Sequence, residues 1–175
     1  MAKRIVTRIG NVFCAEINGE FKRYFQYVAN DLTQLNSSVI RIFKTHYPMD
    51  YKPVIEDIIK DEVEFYAHTI LKAGILFNAW YKVGTSKEVG EVYKNALFGY
   101  AHEHRYPTVH DITEVNPIEN WDIWTVNQPY QIRRGRITKD ISENLSPGGV
   151  IPYIDIVHKM QYGYYRYKTA GWTVI

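Results

Sequence analysis

Two apolar runs, NVFCAEI and FKRYFQYV, flank Asn18 and Gly19 near the start of the chain. Asn-Gly is the pair best suited to the positive dihedrals of a tight turn, so this stretch predicts a β-hairpin. After the turn-like NDLTQLNSS, the β-branched and aromatic SVIRIFK predicts a third strand over Val39 to Lys44. Three consecutive antiparallel strands make a meander. Their lengths suit a curved sheet or a small SH3-like barrel.

Further along, YKPVIEDIIKDE sets Pro53 before apolar Val54, Ile55, Ile58 and Ile59, the pattern of a short helix opened by proline. VEFYAHTIL alternates as a strand, and LFNAWYKVG predicts another after Gly74. TSKEVGEVYKNALF has helical spacing at Val89, Val92, Tyr93 and Ala96, but Gly90 and the β-branched residues work against a helix. The span from His102 to Asn120 has no sustained period and is expected to be a long surface connection. NWDIWTVN alternates with an aromatic on each face, predicting a strand covered on both sides. After the turn NLSPGG, the segment IPYIDIVHKMQYG starts at Pro152 and ends at Gly163, as a helix does, with an apolar stripe through Ile154, Val157 and Met160. YYRYK is expected to form a closing strand. The fold class is therefore α+β, mostly antiparallel, with two or three short helices in a single domain over residues 1–175.

Composition adds little to that picture except through its aromatics. The chain holds 15 tyrosines, seven phenylalanines and four tryptophans, which favours sheet over helix. With 46% hydrophobic and 23% charged residues it falls in the ordinary globular class rather than the disordered one. A single cysteine, Cys14, excludes an internal disulfide and any cysteine-based zinc site, and it sits in a strand as a small hydrophobe. The N-terminus lacks the apolar core of a secretory signal and no stretch is long enough to cross a membrane, so a cytoplasmic protein with no membrane partner is expected. A net charge of +2 is too small to imply nucleic-acid binding by itself.

Three candidate sites emerge. His102 and His104 in AHEHRYPTVHD fall on one side of an extended segment, and His110 or Asp111 across a turn completes a possible zinc set. That set would serve a metal-dependent hydrolase, although its spacing matches no specific signature and surface histidines in a solvated loop have the same sequence. Arg133, Arg134, Arg136 and Lys139 form a basic run that suits phosphates, with tyrosines and tryptophans nearby to stack on bases; an edge strand guarded by charge is the plainer reading. The third candidate is an acidic and aromatic surface made by Glu103, Glu114, Glu119, Trp121 and Trp124, with the tryptophans partly exposed as interface anchors. No nucleophile elbow, P-loop or dinucleotide fingerprint occurs, so no cofactor is implied.

The opening RIGNVFCAEINGEFKRYFQYV and the closing GGVIPYIDIVHKMQYGYYRY, with its Gly-Val, Pro-led helix, Gly and aromatic strand in order, resemble the immunity-protein family numbered twenty-six of bacterial polymorphic toxin systems. The resemblance implies a cytoplasmic protein without catalytic residues that binds and neutralises a cognate protein toxin. Family labels that join this group to a phosphotriesterase name keep the hydrolase alternative at His102, His104 and His110. Inhibitors of basic nuclease toxins are often strongly acidic, and this slightly basic chain departs from that pattern.

Overall fold

A computed structural model of the chain describes residues 5–101, 121–128, 133–135, 141 and 144–166. The predicted hairpin joins β1 (Asn11–Ile17) to β2 (Phe21–Asp31). Asn18 and Gly19 both hold positive φ, 51° and 72°, and the Glu20 amide donates to the Ile17 carbonyl at 2.9 Å to close the turn. β3 (Ser37–Phe43) returns antiparallel beside β2, which completes the expected meander. β4 (Tyr47–Pro48) pairs with the start of β2, and β5 (Val63–Thr69) lies antiparallel to β3. With β6 (Tyr81–Thr85) and β11 (Val150–Ile151) they form a seven-stranded sheet whose main path runs β11-β5-β3-β2-β1-β6. That path has two free ends, so the sheet is open and the barrel alternative does not apply. Register shifts in the β1/β6, β2/β3 and β3/β5 pairs bend it, as bulges do.

This sheet is covered on both faces, and its sequence shows why. From Arg23 to Ala29, β2 has no exposed residue on either alternation phase. One face carries Phe13, Ala15, Phe25, Ile40 and Ile42 against α2 (Leu71–Leu76), Trp80 and α3 (Tyr153–Tyr162). The other face has two covers. Near the hairpin, Val12, Cys14, Tyr24 and Phe43 meet Ile58 and Ile59 around α1 (Ile55–Ile58), the helix expected after Pro53. At the far end, Val28, Ala29 and Val39 meet Phe98, Trp124 and Val126 of a second, four-stranded sheet. That sheet has the order β10-β7-β8-β9, from β7 (Leu97–Ala101), β8 (Trp121–Thr125), β9 (Arg133–Gly135) and β10 (Leu145–Pro147). Cys14 is buried in β1, as its strand position implied, and burial pushes its thiol pKa up.

Four expectations change. LFNAWYKVG is not one strand, because its first residues finish α2 and only Tyr81 onward is extended. Gly74 accounts for that break. A Cβ there would lie 2.0 Å from the Trp80 ring, so the missing side chain lets the indole fold back on the helix and donate to the Leu71 carbonyl at 3.1 Å. NLSPGG contains a strand, since Leu145 to Pro147 pair parallel to β7. The open question over TSKEVGEVYKNALF resolves into a single 3-10 turn, Val92–Asn95, before β7. Finally, Tyr164, Tyr165 and Arg166 are not extended, so no closing strand forms across them. The predicted loop from His102 to Asn120 lies outside the described residues, and among those described no helix is long and apolar enough to cross a membrane.

The two sheets meet at a buried acid and imidazole. Asp31 ends β2 with one carboxylate oxygen accepting from the Thr33 amide, the Thr33 hydroxyl and the Gln34 amide, while the other stands 2.9 Å from Nε2 of His68 in β5. Both side chains are fully buried, and the His68 ring meets Phe98 of the second sheet edge-on at 4.3 Å. Burial lowers the His68 pKa, outweighing the hydrogen bond and charge of Asp31 that raise it. Burial raises the Asp31 carboxyl, but the backbone and side-chain donors around it outweigh that and hold it below its ordinary value. The unfolded chain therefore binds more protons than the folded one, first at the histidine and then at the carboxylate, so stability present above neutral pH is lost as pH falls. The denaturant midpoint should drop between about pH 7 and pH 5, the range below an ordinary histidine pKa near 6.5, and the drop should shrink in His68→Gln. A midpoint unchanged over that range would rule out a neutral buried His68.

Candidate functional site

The most prominent apolar surface is the outward side of α3. Pro152 sets the helix entry, and Gly163 at φ 81° ends it with its amide donating to the Lys159 carbonyl at 2.8 Å. Ile156 and Met160 bury inward in the core. Ile154, His158 and Tyr162 recur every four residues and so line the opposite side, where Ile154 is 44% and Tyr162 53% exposed. Ile154 thus belongs to the outer surface and not to the buried stripe assigned to it from sequence, whose inward positions are Ile156, Met160 and half-buried Val157.

Turning back past Gly163, Tyr164 adds its ring to this line. The His158 ring stands 4.6 Å from Tyr162 and 5.2 Å from Tyr164, and its Nδ1 lies 3.0 Å from the Tyr164 carbonyl, an arrangement that places a donating proton on Nδ1. At the helix's other end Tyr153 stacks on Phe77, just past α2, with ring centres 5.2 Å apart and planes 11° from parallel. Phe77 and its neighbour Leu76 are both more than 60% exposed. The result is one continuous face running from Leu76 and Phe77 through Tyr153, Ile154 and His158 to Tyr162 and Tyr164.

The charges of α3 are turned away from this face. Asp155 is buried and accepts from Nε of Arg166 at 2.7 Å. Lys159 lies under the helix with its ammonium 4.8 Å from the Phe65 ring centre and 4.6 Å from that of Tyr165. Burial lowers the Lys159 pKa, partly opposed by the Glu64 carboxylate. Beneath the helix, buried Arg23 holds the chain in place. Its guanidinium donates to the Met160 carbonyl at 2.8 Å, donates twice to the Phe43 carbonyl, lies 2.9 Å from the His46 ring nitrogen and pairs with Glu64. Glu64 is the extra residue of the β5 bulge, between Val63 opposite Phe43 and Phe65 opposite Ile42, and the bulge turns it toward Arg23. Burial, and then the Arg23 charge, lower the His46 pKa, so that ring stays neutral while stacked on Phe21.

The residues singled out from sequence are arranged differently. Trp121 and Trp124 are only 1% and 2% exposed, so the expected partial exposure is not found. The reason is the second sheet: β8 is an inner strand, with Trp124 against Val28 and Val39 of the large sheet and Trp121 against Ile123 and Leu145. Arg133 and Arg134 fall on β9, the outer strand of the second sheet among the described residues, with Arg134 opposite Asp122 in register. Glu103, Glu114, Glu119, His102, His104, His110 and Arg136 lie outside the described residues. Among the described residues no group of three or more histidines, cysteines or carboxylates could hold a metal ion. The α3 face went unread because a helix of this composition offers two apolar stripes, and sequence alone does not say which one turns inward.

No family model, curated protein or solved structure matches this chain.

Because Arg23 carries the backbone carbonyls of both β3 and α3, removing it leaves several buried acceptors unpaired. Arg23→Ala should destabilise the protein by about 3 kcal/mol or more and loosen α3 first. Chemical denaturation with hydrogen exchange at α3 amides checks this; unchanged exchange there would show that the helix is held by apolar packing alone.

Proposed function

We propose that the protein is a non-catalytic, immunity-type binder that seats the aromatic face of α3 and α2 on a cognate toxin domain. The observation that supports this most directly is the ring series from Phe77 and Tyr153 to His158, Tyr162 and Tyr164, with Asp155 and Lys159 of α3 turned away from it. Interface centres are rich in tyrosine and phenylalanine and poor in charge, because such rings offer large contact area for little rotamer entropy. All five of these rings already rest against another of the set before a partner arrives, which lowers the ordering cost of binding. The immunity reading comes from the two terminal segments that resemble that family, and the second of them contains α3 itself.

A neutral face also accounts for the modest net charge. Recognition through aromatic burial does not need the strong acidity used against basic nucleases, and it is little weakened by salt. The acidic segment around Glu103, Glu114 and Glu119 would then act, if at all, on encounter rate rather than on affinity.

Phe77→Ala and Tyr162→Ala should each weaken binding to the cognate toxin domain at least tenfold, with dissociation faster and the unfolding midpoint unchanged. Affinity of the wild-type protein should vary little between about 0.1 M and 0.5 M salt. Full protection of toxin-expressing cells by the double variant would reject this face.

A further inference from the structure

β11 pairs with only His68 and Thr69 of β5, so the run from Val63 to Ala67 has no hydrogen-bonded strand on that side among the described residues. The gap is a cavity of about 400 Å³ between this edge, the 3-10 turn and the start of the second sheet. That volume suits a small organic ligand rather than a folded partner. Its walls are apolar and polar in nearly equal measure, the apolar part coming from Val63 and Phe65 on the large sheet and Leu97 and Leu145 on the small one.

Glu64, Tyr66 and Lys159 are its ionisable lining groups, and Glu64 and Lys159 carry the formal charges. Glu64 is already paired with Arg23. Lys159 has no hydrogen bond or ion pair among the described residues; the rings of Phe65 and Tyr165 face its ammonium, and the Glu64 carboxylate acts on it from beyond ion-pair distance. His46, the remaining basic group in this network, is kept neutral by burial and by Arg23. Among the described residues two cations, Arg23 and Lys159, are thus set against one carboxylate, Glu64, which leaves one net positive charge at the cavity wall. A half-buried ammonium held by ring faces and a carboxylate it shares with Arg23 is only partly compensated, and one anionic group would offset its desolvation.

We propose that this cavity binds a small amphipathic monocarboxylate, with the carboxylate on Lys159 and the apolar body against Val63, Leu97 and Leu145. One negative charge matches the local balance; a neutral ligand leaves Lys159 as it is, and a dianion reverses the sign.

Calorimetric titration with octanoate and with 1-octanol tests this on the intact chain. Octanoate should bind at least tenfold more tightly than 1-octanol. Lys159→Met keeps the apolar stem and should remove that preference, while Lys159→Arg should retain most of it. Val92→Trp, at a rim position 68% exposed, should block both ligands without disturbing the core, so it serves even if the lysine variant unfolds. Equal affinity for the acid and the alcohol, no octanoate binding at millimolar concentration, or octanoate affinity unchanged in Val92→Trp would each overturn the proposal.

Discussion

Arg23 is the constraint on which the arrangement of this protein turns. A guanidinium buried to 1% exposure inside a sheet must satisfy every donor locally, because leaving any one dry is costly. It does so by reaching four separate pieces of chain: the Phe43 carbonyl at the end of β3, the His46 ring, the Glu64 bulge of β5 and the Met160 carbonyl of α3. These contacts fix where β3 ends, force the extra residue into β5 and set the depth at which α3 lies on the sheet. The neighbouring apolar contacts of Ile156 and Met160 supply most of the burial, yet they would tolerate a rotated or shifted helix. Hydrogen bonds to a backbone carbonyl of α3 do not.

Burial on both faces is the second organising feature. β2 crosses the middle of the large sheet with apolar residues on both phases, which requires two covers rather than one. Helices α2 and α3 supply the first, and α1 with the second sheet supplies the other. The polar groups caught in the middle are arranged in small closed sets. Gln26 accepts twice from Arg41 and donates to the carbonyl of Ser86, and Arg41 donates again to the Glu88 carbonyl. Asp31 and His68 perform the same task where the sheets join. Each set ties strand to loop, so the long polar connections are anchored by side chains that a purely apolar core would not contain.

Local chemistry made part of this legible in sequence. Asn18 and Gly19 specify their turn by the dihedrals they tolerate, and Pro152 and Gly163 bracket α3 for the same reason. What could not be read depends on non-local contacts. Gly74 looks like a break between strands until Trp80 is seen to occupy the space its side chain would fill. Leu145 to Pro147 look like a turn because prolines and glycines mark turns, but the partner strand β7 lies nearly fifty residues earlier and leaves no trace in the local pattern. For Trp121 and Trp124 the two local signals disagree: tryptophan's frequency at interfaces argues for exposure, while an aromatic on each face of the strand argues for cover on both sides, and the second sheet decides for cover. Ile154 failed in the opposite direction, since a helix with two apolar stripes has two possible inward sides.

That ambiguity in α3 is also where its functional interest lies. A helix needs one apolar stripe to pack; this one has a second, made of Ile154, His158 and Tyr162, and the sheet leaves it nothing to cover. Its acid and its lysine are drawn inward instead, Asp155 to Arg166 and Lys159 over the rings of Phe65 and Tyr165. Surface helices usually present charge outward and bury carbon, so the inversion costs solubility and desolvation energy that the Asp155–Arg166 pair and the ring contacts of Lys159 offset only in part. The two proposed roles would draw on the two sides of the same helix, the aromatic face on one and the Lys159 ammonium at the cavity wall on the other. Arg23, by fixing the depth of the helix, sets the geometry of both.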